Sequence, residues 1–257
     1  MEIAGKNVLL TGASGGLGEA IAKELAGRGA QLTLTARRGD ELNRLAETTG
    51  GDVLIADLMD QGDLDRVIEV GRDSDILIAN AGMGADSPIT ELSAGEIDRA
   101  IGVNLRAPIL MATEFVQAHL RTGEPGQIVF IGSLSGIVSS PDIRMYNSTK
   151  FGLRGFALSL RQDMADTNIG VSIVEPGFIR DAGMFAESGV KLPNGVRTKS
   201  PLDVAKGVAK AIESNRAEVF VAPLELTLGA KLGSMAPALS ERVQSLVGAA
   251  DIKASRT

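Results

Sequence analysis

An α/β protein, with a parallel sheet covered by helices on both faces, is predicted by three features of the sequence. Short apolar runs alternate with longer stretches of helical periodicity along the chain. The first run passes through a glycine-rich turn into the first helical stretch. At 257 residues, 44% of them hydrophobic and 23% charged, the chain can bury roughly 70% of its open surface without staples.

In chain order, residues 7–10, 31–35, 52–56 and 76–79 read as buried strands, short and bounded by glycine or polar residues. Between them, residues 17–28, 40–48 and 61–72 read as helices. Ile21 and Leu25 mark one apolar face, and Leu64, Val67 and Ile68 another. A long helical stretch follows at 96–120. Asn104 is a poor residue inside a helix and Pro108 comes soon after, so an irregularity is expected there. Residues 127–131 read as a strand, 145–165 as a helix, 171–174 as a strand, 201–213 as a helix and 219–221 as a last short strand. Right-handed crossovers then follow from the alternation. The stretch 178–200 breaks the rhythm. A long connection at a strand's carboxyl end is placed to cover a binding crevice, and a surface loop is the plainer alternative. Residues 226–247 are amphipathic in places, fitting a cover over the site or a subunit interface.

Composition excludes much chemistry. Without cysteine there is no disulfide, thiolate nucleophile, iron–sulfur cluster or thiolate-bound zinc. One histidine, His119, rules out a site needing two imidazoles, and no metal site is expected. A net charge of −6 leaves no global basic field for nucleic acid. No apolar run is long enough to span a bilayer, and the start of the chain lacks a signal-peptide layout, so a cytoplasmic protein is expected.

The turn Thr11-Gly12-Ala13-Ser14-Gly15-Gly16-Leu17-Gly18 has the placement of a phosphate cradle. Gly12 permits unusual dihedrals, Gly16 lets a pyrophosphate approach the backbone, and Gly18 lets the helix lie close to the sheet. Unpaired N–H groups at the helix start, from Ser14 to Gly18, then face the phosphates. The end of the second strand reads the adenine ribose in such sites. Ala36 stands there in place of an acid, followed by Arg37 and Arg38, which favours NADP(H) over NAD(H) because guanidinium pairs with a 2′-phosphate.

Tyr146 is the only tyrosine in the chain, and Lys150 shares its helical face. A nearby ammonium and an oxidised nicotinamide both stabilise the phenolate. Lowering a phenol's pKa by about 3 units takes about 4 kcal/mol of such stabilisation. Ser133 ends the fifth strand, where a hydroxyl can donate to a substrate oxygen, and Ser135 is its local competitor. A hydrolase nucleophile is disfavoured at Ser133, since no nucleophile elbow surrounds it.

With Asp57 after the third strand, Asn80-Ala81-Gly82 after the fourth, Asn104, Ser133, Tyr146-x-x-x-Lys150 and Pro176-Gly177, the chain resembles the short-chain dehydrogenase/reductase family over nearly its whole length. The resemblance implies a single-domain Rossmann fold, a doubly wound seven-stranded parallel sheet with helices on both faces. It implies Tyr146 as acid–base, Ser133 holding the substrate oxygen, Lys150 on the nicotinamide ribose and lowering the tyrosine pKa, and Asn104 anchoring a water. Asp57 and the neighbouring Leu58 are placed at the adenine, with a helix cap as the alternative for Asp57. Asn80, Ala81 and Gly82 are placed by the ribose, and Pro176, Gly177 and Ile179 by the nicotinamide. The family's threonine on the carboxamide is replaced by Asp181, which accepts but cannot donate. A homodimer or homotetramer is implied as well.

The expectation is an NADP(H)-dependent oxidoreductase acting on a small carbonyl or alcohol substrate. The alternatives are a non-catalytic NADP-sensing protein on the same fold, or an epimerase or dehydratase with a retained cofactor. Ile137, Met145, Met184 and Phe185 fit an apolar substrate pocket or plain packing. Arg180, Lys191, Arg197 and Lys199 fit an anionic substrate or a solvated loop.

Overall fold

Strand–helix alternation resolves, in the computed structural model, into seven strands forming one parallel sheet. The structure describes residues 1–84, 87–182 and 196–238. The strands are β1 (Asn7–Thr11), β2 (Gln31–Ala36), β3 (Asp52–Ile55), β4 (Ile76–Ala79), β5 (Gly126–Ile131), β6 (Ile169–Pro176) and β7 (Glu218–Val221). Their order is β3-β2-β1-β4-β5-β6-β7, every neighbour parallel. The connectivity reverses between β1 and β4, which opens a crevice at their carboxyl ends.

Both faces of the sheet are buried because the strands are apolar on both sides. Val8, Leu10, Ile76, Ile78, Val129 and Ile131 face one core, with α1 (Gly16–Gly27), α2 (Gly39–Thr49) and α7 (Pro201–Ser214) laid over it. Leu9, Leu77, Ile128 and Phe130 face the other, under α3 (Gln61–Arg72), α5 (Ala107–Thr122) and α6 (Arg144–Asp163). His119 is buried in α5, stacked on Phe115 with Nδ1 at 2.9 Å from the Phe115 carbonyl, a packing role.

Two departures from the sequence reading matter. The stretch 96–120 is not one helix: α4 (Ala94–Ile101) passes through a π-helical turn at Gly102–Arg106 into α5. The strand expected at 171–174 runs over Ile169–Pro176, and its extra residues carry Glu175 and Pro176 to the crevice. The cover expected at 178–200 is described only at its two ends. Ile179 pairs with Lys199 in a parallel bridge, while Met184, Phe185 and Lys191 lie outside the described residues. Helix α8 (Leu224–Met235) begins the amphipathic region expected at 226–247 and leaves Leu224, Leu228, Leu232 and Met235 exposed.

Candidate active site

The glycine-rich turn closes over the carboxyl end of β1. Gly12 has φ +67°, and a Cβ there would lie 2.7 Å from Cα of Ala81. At Gly18 a Cβ would meet the Gly12 carbonyl oxygen at 2.2 Å, so α1 lies directly against the turn. Gly15 is the N-cap of α1 and no side chain caps the helix, which leaves N–H groups from Gly16, Leu17 and Gly18 for an anion. Thr11, fully buried, joins the turn to β4: its Oγ1 accepts the N–H groups of Asn80 and Ala81, each at 3.0 Å. The Asn80 amide donates in turn to the carbonyls of Thr11 and Gly12, at 2.9 and 3.1 Å. Asn80, expected beside the ribose, thus spends its side chain on shaping the cradle.

Arg38 folds back across the turn, donating to the Ser14 carbonyl at 2.6 Å and to Ser14 Oγ at 3.3 Å. Arg37 beside it is exposed. Asp57 is not the cap of α3. Asp60 is, accepting from Asp63 N–H at 2.9 Å, while Asp57 Oδ1 accepts from Met59 N–H and Leu58 is buried beside it.

On the other side of the crevice α6 delivers Tyr146 and Lys150. Ile143 starts the helix, and the four-residue spacing stacks the side chains, with Lys150 Nζ 5.6 Å from the centre of the phenol ring. Lys150 is buried and donates to the Ile131 carbonyl at 2.7 Å. Ser133, in extended conformation, precedes a 3₁₀ turn at Leu134–Gly136 and accepts the Ser135 N–H at 3.1 Å. Its hydroxyl hydrogen-bonds the Tyr146 hydroxyl. Ser135 thus supports the Ser133 hydroxyl through its backbone. Gly82 closes the site: a Cβ there would be 3.5 Å from Asn104 Oδ1 and 3.7 Å from Lys150 Nζ.

Asn104 sits in the π-helical turn, almost fully buried. Its Oδ1 accepts the Met83 N–H at 2.8 Å, and its Nδ2 donates to the Met83 carbonyl at 2.8 Å and to Thr149 Oγ1 at 3.2 Å. The amide is thus occupied by protein groups, pinning the 82–83 segment to α6.

The chain's own electrostatics set the state on which a nucleotide's charge would act. Burial pushes the Tyr146 phenol up to about 12, Glu175 adds to the rise, and the Ser133 hydroxyl opposes it. Burial also takes the Lys150 ammonium down to about 8. The chain by itself keeps its tyrosine protonated, because desolvation, with Glu175, outweighs the Ser133 hydrogen bond. Beyond β6, Gly177 donates to the Val221 carbonyl at 3.1 Å and Ile179 is buried in the core. Asp181, at φ +70°, is exposed and pairs with Arg180 at 3.3 Å. Arg197 is bound by both oxygens of Glu225, at 2.9 and 2.7 Å, so its charge is already matched.

Residues 6–192 match the model of the short chain dehydrogenase family. The chain belongs to the short-chain dehydrogenase family. A ketoacyl reductase from a Nostoc species is 29% identical across 99% of this chain and 93% of that protein. A 3-oxoacyl-[acyl-carrier-protein] reductase from Rickettsia conorii is 30% identical across 81% of this chain and 90% of that protein. The crystal structure of a short-chain dehydrogenase from Sphingobium yanoikuyae in complex with NADPH superposes with a TM-score of 0.77. It is 27% identical, over 94% of both chains.

This short-chain dehydrogenase carries a residue that the sequence reading missed. Glu175, fully buried in β6, accepts the backbone N–H of Ser133 through Oε2. Its signal was a carboxylate directly following the apolar run Ile173-Val174 of a parallel strand. No helix among the described residues is long and apolar enough to cross a membrane, and no metal-ligand cluster is found among them.

Proposed function

We propose that this short-chain dehydrogenase is an NADP(H)-dependent carbonyl reductase, or secondary alcohol dehydrogenase in reverse. The observation that carries the reading is the meeting of Ser133, Tyr146 and Lys150 across the crevice from the glycine-rich turn. The uncapped start of α1 and the close contacts of Gly12 and Gly18 fit a pyrophosphate, and Arg38 with Ser14 and Arg37 fits a 2′-phosphate. Asp57 and Leu58 fit the adenine side, Ala81 and Gly82 the ribose, and Pro176, Gly177 and Ile179 the nicotinamide side. When bound, the nucleotide supplies or accepts the hydride.

Ser133 donates to the substrate oxygen, holding it beside the phenol. Tyr146 gives its proton to that oxygen in reduction and recovers it in oxidation. A phenol held protonated by burial suits reduction, where the proton must be in place beforehand. Lys150 keeps a positive charge under the ring, and Asn104 holds the 82–83 segment against α6. The relatives named as ketoacyl reductases support a ketone as the reacting group. Assembly as a homodimer or homotetramer belongs to the same reading, supported by Ile101, Leu120 and Phe151 exposed on α4, α5 and α6.

The test follows NADPH absorbance with a panel of ketones and aldehydes, comparing wild type with Tyr146→Phe. Turnover should fall at least ~100-fold in the variant with nucleotide affinity kept, the range of a lost general acid. Equal rates would remove Tyr146 from the chemistry. Nucleotide binding without turnover by wild type across the panel would favour a sensor instead.

A further inference from the structure

Glu175 has no part in the chemistry above, yet its carboxyl group reaches the middle of the site. Its side chain is fully buried at the carboxyl end of β6. Oε2 accepts the Ser133 N–H. The room for it is made by Gly132, where a Cβ would lie 2.2 Å from that oxygen. Oε1 has no hydrogen-bond partner among the described residues. Arg154 stands 3.8 Å from it but is drawn to Glu218, at 2.8 Å. Lys150 meanwhile holds the Ile131 carbonyl. Ammonium and carboxyl therefore grip the same three-residue segment, 131–133, one from α6 and one from β6. The groups facing Glu175 are Lys150, Arg154 and the Tyr146 phenol from α6, and Glu218 from β7. In a dry interior such charges act on each other strongly.

We propose that Glu175 is a positioning residue of this site: it anchors Ser133, and as the buried counter-charge to Lys150 it widens the pH range over which the lysine remains an ammonium beneath Tyr146. Burial lifts the Glu175 carboxyl to about 8, the same region to which burial lowers Lys150. Carboxyl and ammonium thus titrate in the same range, and each charge favours the ionised form of the other. Its negative charge also holds the proton on Tyr146 to higher pH. The inference rests on the reading of Tyr146 as the acid–base group.

One tyrosine and no tryptophan make the test direct, because ultraviolet difference absorbance of the phenolate reports Tyr146 alone. Glu175→Gln keeps an acceptor for the Ser133 N–H and removes the charge. Tyr146 should then ionise roughly one to two pH units earlier than in wild type. In ketone reduction the alkaline limb of kcat/KM should move to lower pH by a similar amount, with the two proteins converging below about pH 7 where both side chains are neutral. Superimposable tyrosine titrations, or rates scaled down evenly at every pH, would overturn the proposal. Should Glu175→Gln not fold, Glu218→Gln at the surface releases Arg154 to neutralise Glu175. A smaller shift of Tyr146 in the same direction is expected, and none would overturn the proposal equally. If wild type reduces no carbonyl, the functional reading fails while the tyrosine titration still decides this one.

Discussion

Thr11 joins two halves of the site with one hydroxyl. Its Oγ1 accepts two N–H groups from the segment after β4 and donates to the Ile78 carbonyl at 3.3 Å. Thr11→Val keeps the shape and removes all three bonds. Leaving buried partners unpaired costs about 1–3 kcal/mol per group. The variant should melt several degrees lower and bind nucleotide about tenfold more weakly, whereas Thr11→Ser should keep both properties. Thermal unfolding and a fluorescence titration with NADPH read the two effects. Arg38 makes the complementary case at the rim. Its hold on Ser14 places a guanidinium over the cradle, half-exposed but aimed. Hydrogen bonds to charged groups contribute about 1.5–3 kcal/mol, so Arg38→Ala should weaken NADPH roughly ten- to hundredfold. NADH, lacking the 2′-phosphate, should be nearly unaffected. Parallel Kd measurements with both nucleotides check this, and equal losses for the two would place Arg38 in the architecture of the turn instead.

The glycine-rich turn and the π-helical turn show what could and could not be read in advance. The turn was legible because its glycines answer to backbone demands that sequence spacing encodes, a positive φ at Gly12 and a helix laid on a carbonyl at Gly18. An irregularity around Asn104 was legible too, from an unfavourable mid-helix residue followed by proline. Its partners were not. Met83 and Thr149 come to Asn104 from separate segments, and only packing brings them together. The resemblance gave Asn104 a water, and the structure adds the protein groups that hold its amide in place. Asn104→Ala removes three bonds and frees the 82–83 segment that borders Lys150. Stability should fall by about 1–3 kcal/mol, and turnover should fall by more than nucleotide binding does. Urea unfolding with steady-state kinetics separates the two, and unchanged kcat would confine the π-helical turn to a structural role.

For the molecule as a whole, the alternation of apolar runs made the seven strands of the sheet legible, while their order, which no local pattern encodes, came with the structure. Glu175 stayed hidden because the sixth strand reads as ending at Val174, which leaves the carboxylate just outside it. The consequence reaches global stability. An ordinary glutamate ionises near 4.5, but in the fold Glu175 holds its proton up to about 8. Between those values the folded chain binds more protons than the unfolded one, so stability falls as pH rises through that window, by up to about 1.4 kcal/mol per pH unit. Lys150 works in the opposite sense. Its proton leaves at about 8 in the fold and near 10.5 when unfolded, so stability recovers as pH rises across that second window. Glu96 and Glu225, both taken down to about 2 by hydrogen bonds and neighbouring cations, lose their contributions only as pH falls below 4.5. Glu175 and Lys150 together place a local minimum of stability near pH 8. Urea midpoints measured at intervals from about pH 5 to 10 should trace that dip in wild type. Glu175→Gln cannot take up the proton and should lack the descending arm, and its rise should begin below about pH 8 because Lys150 has lost its counter-charge. Parallel curves for the two proteins would mean that the descent comes from other groups, and that Glu175 ionises in the fold much as it does in the open chain.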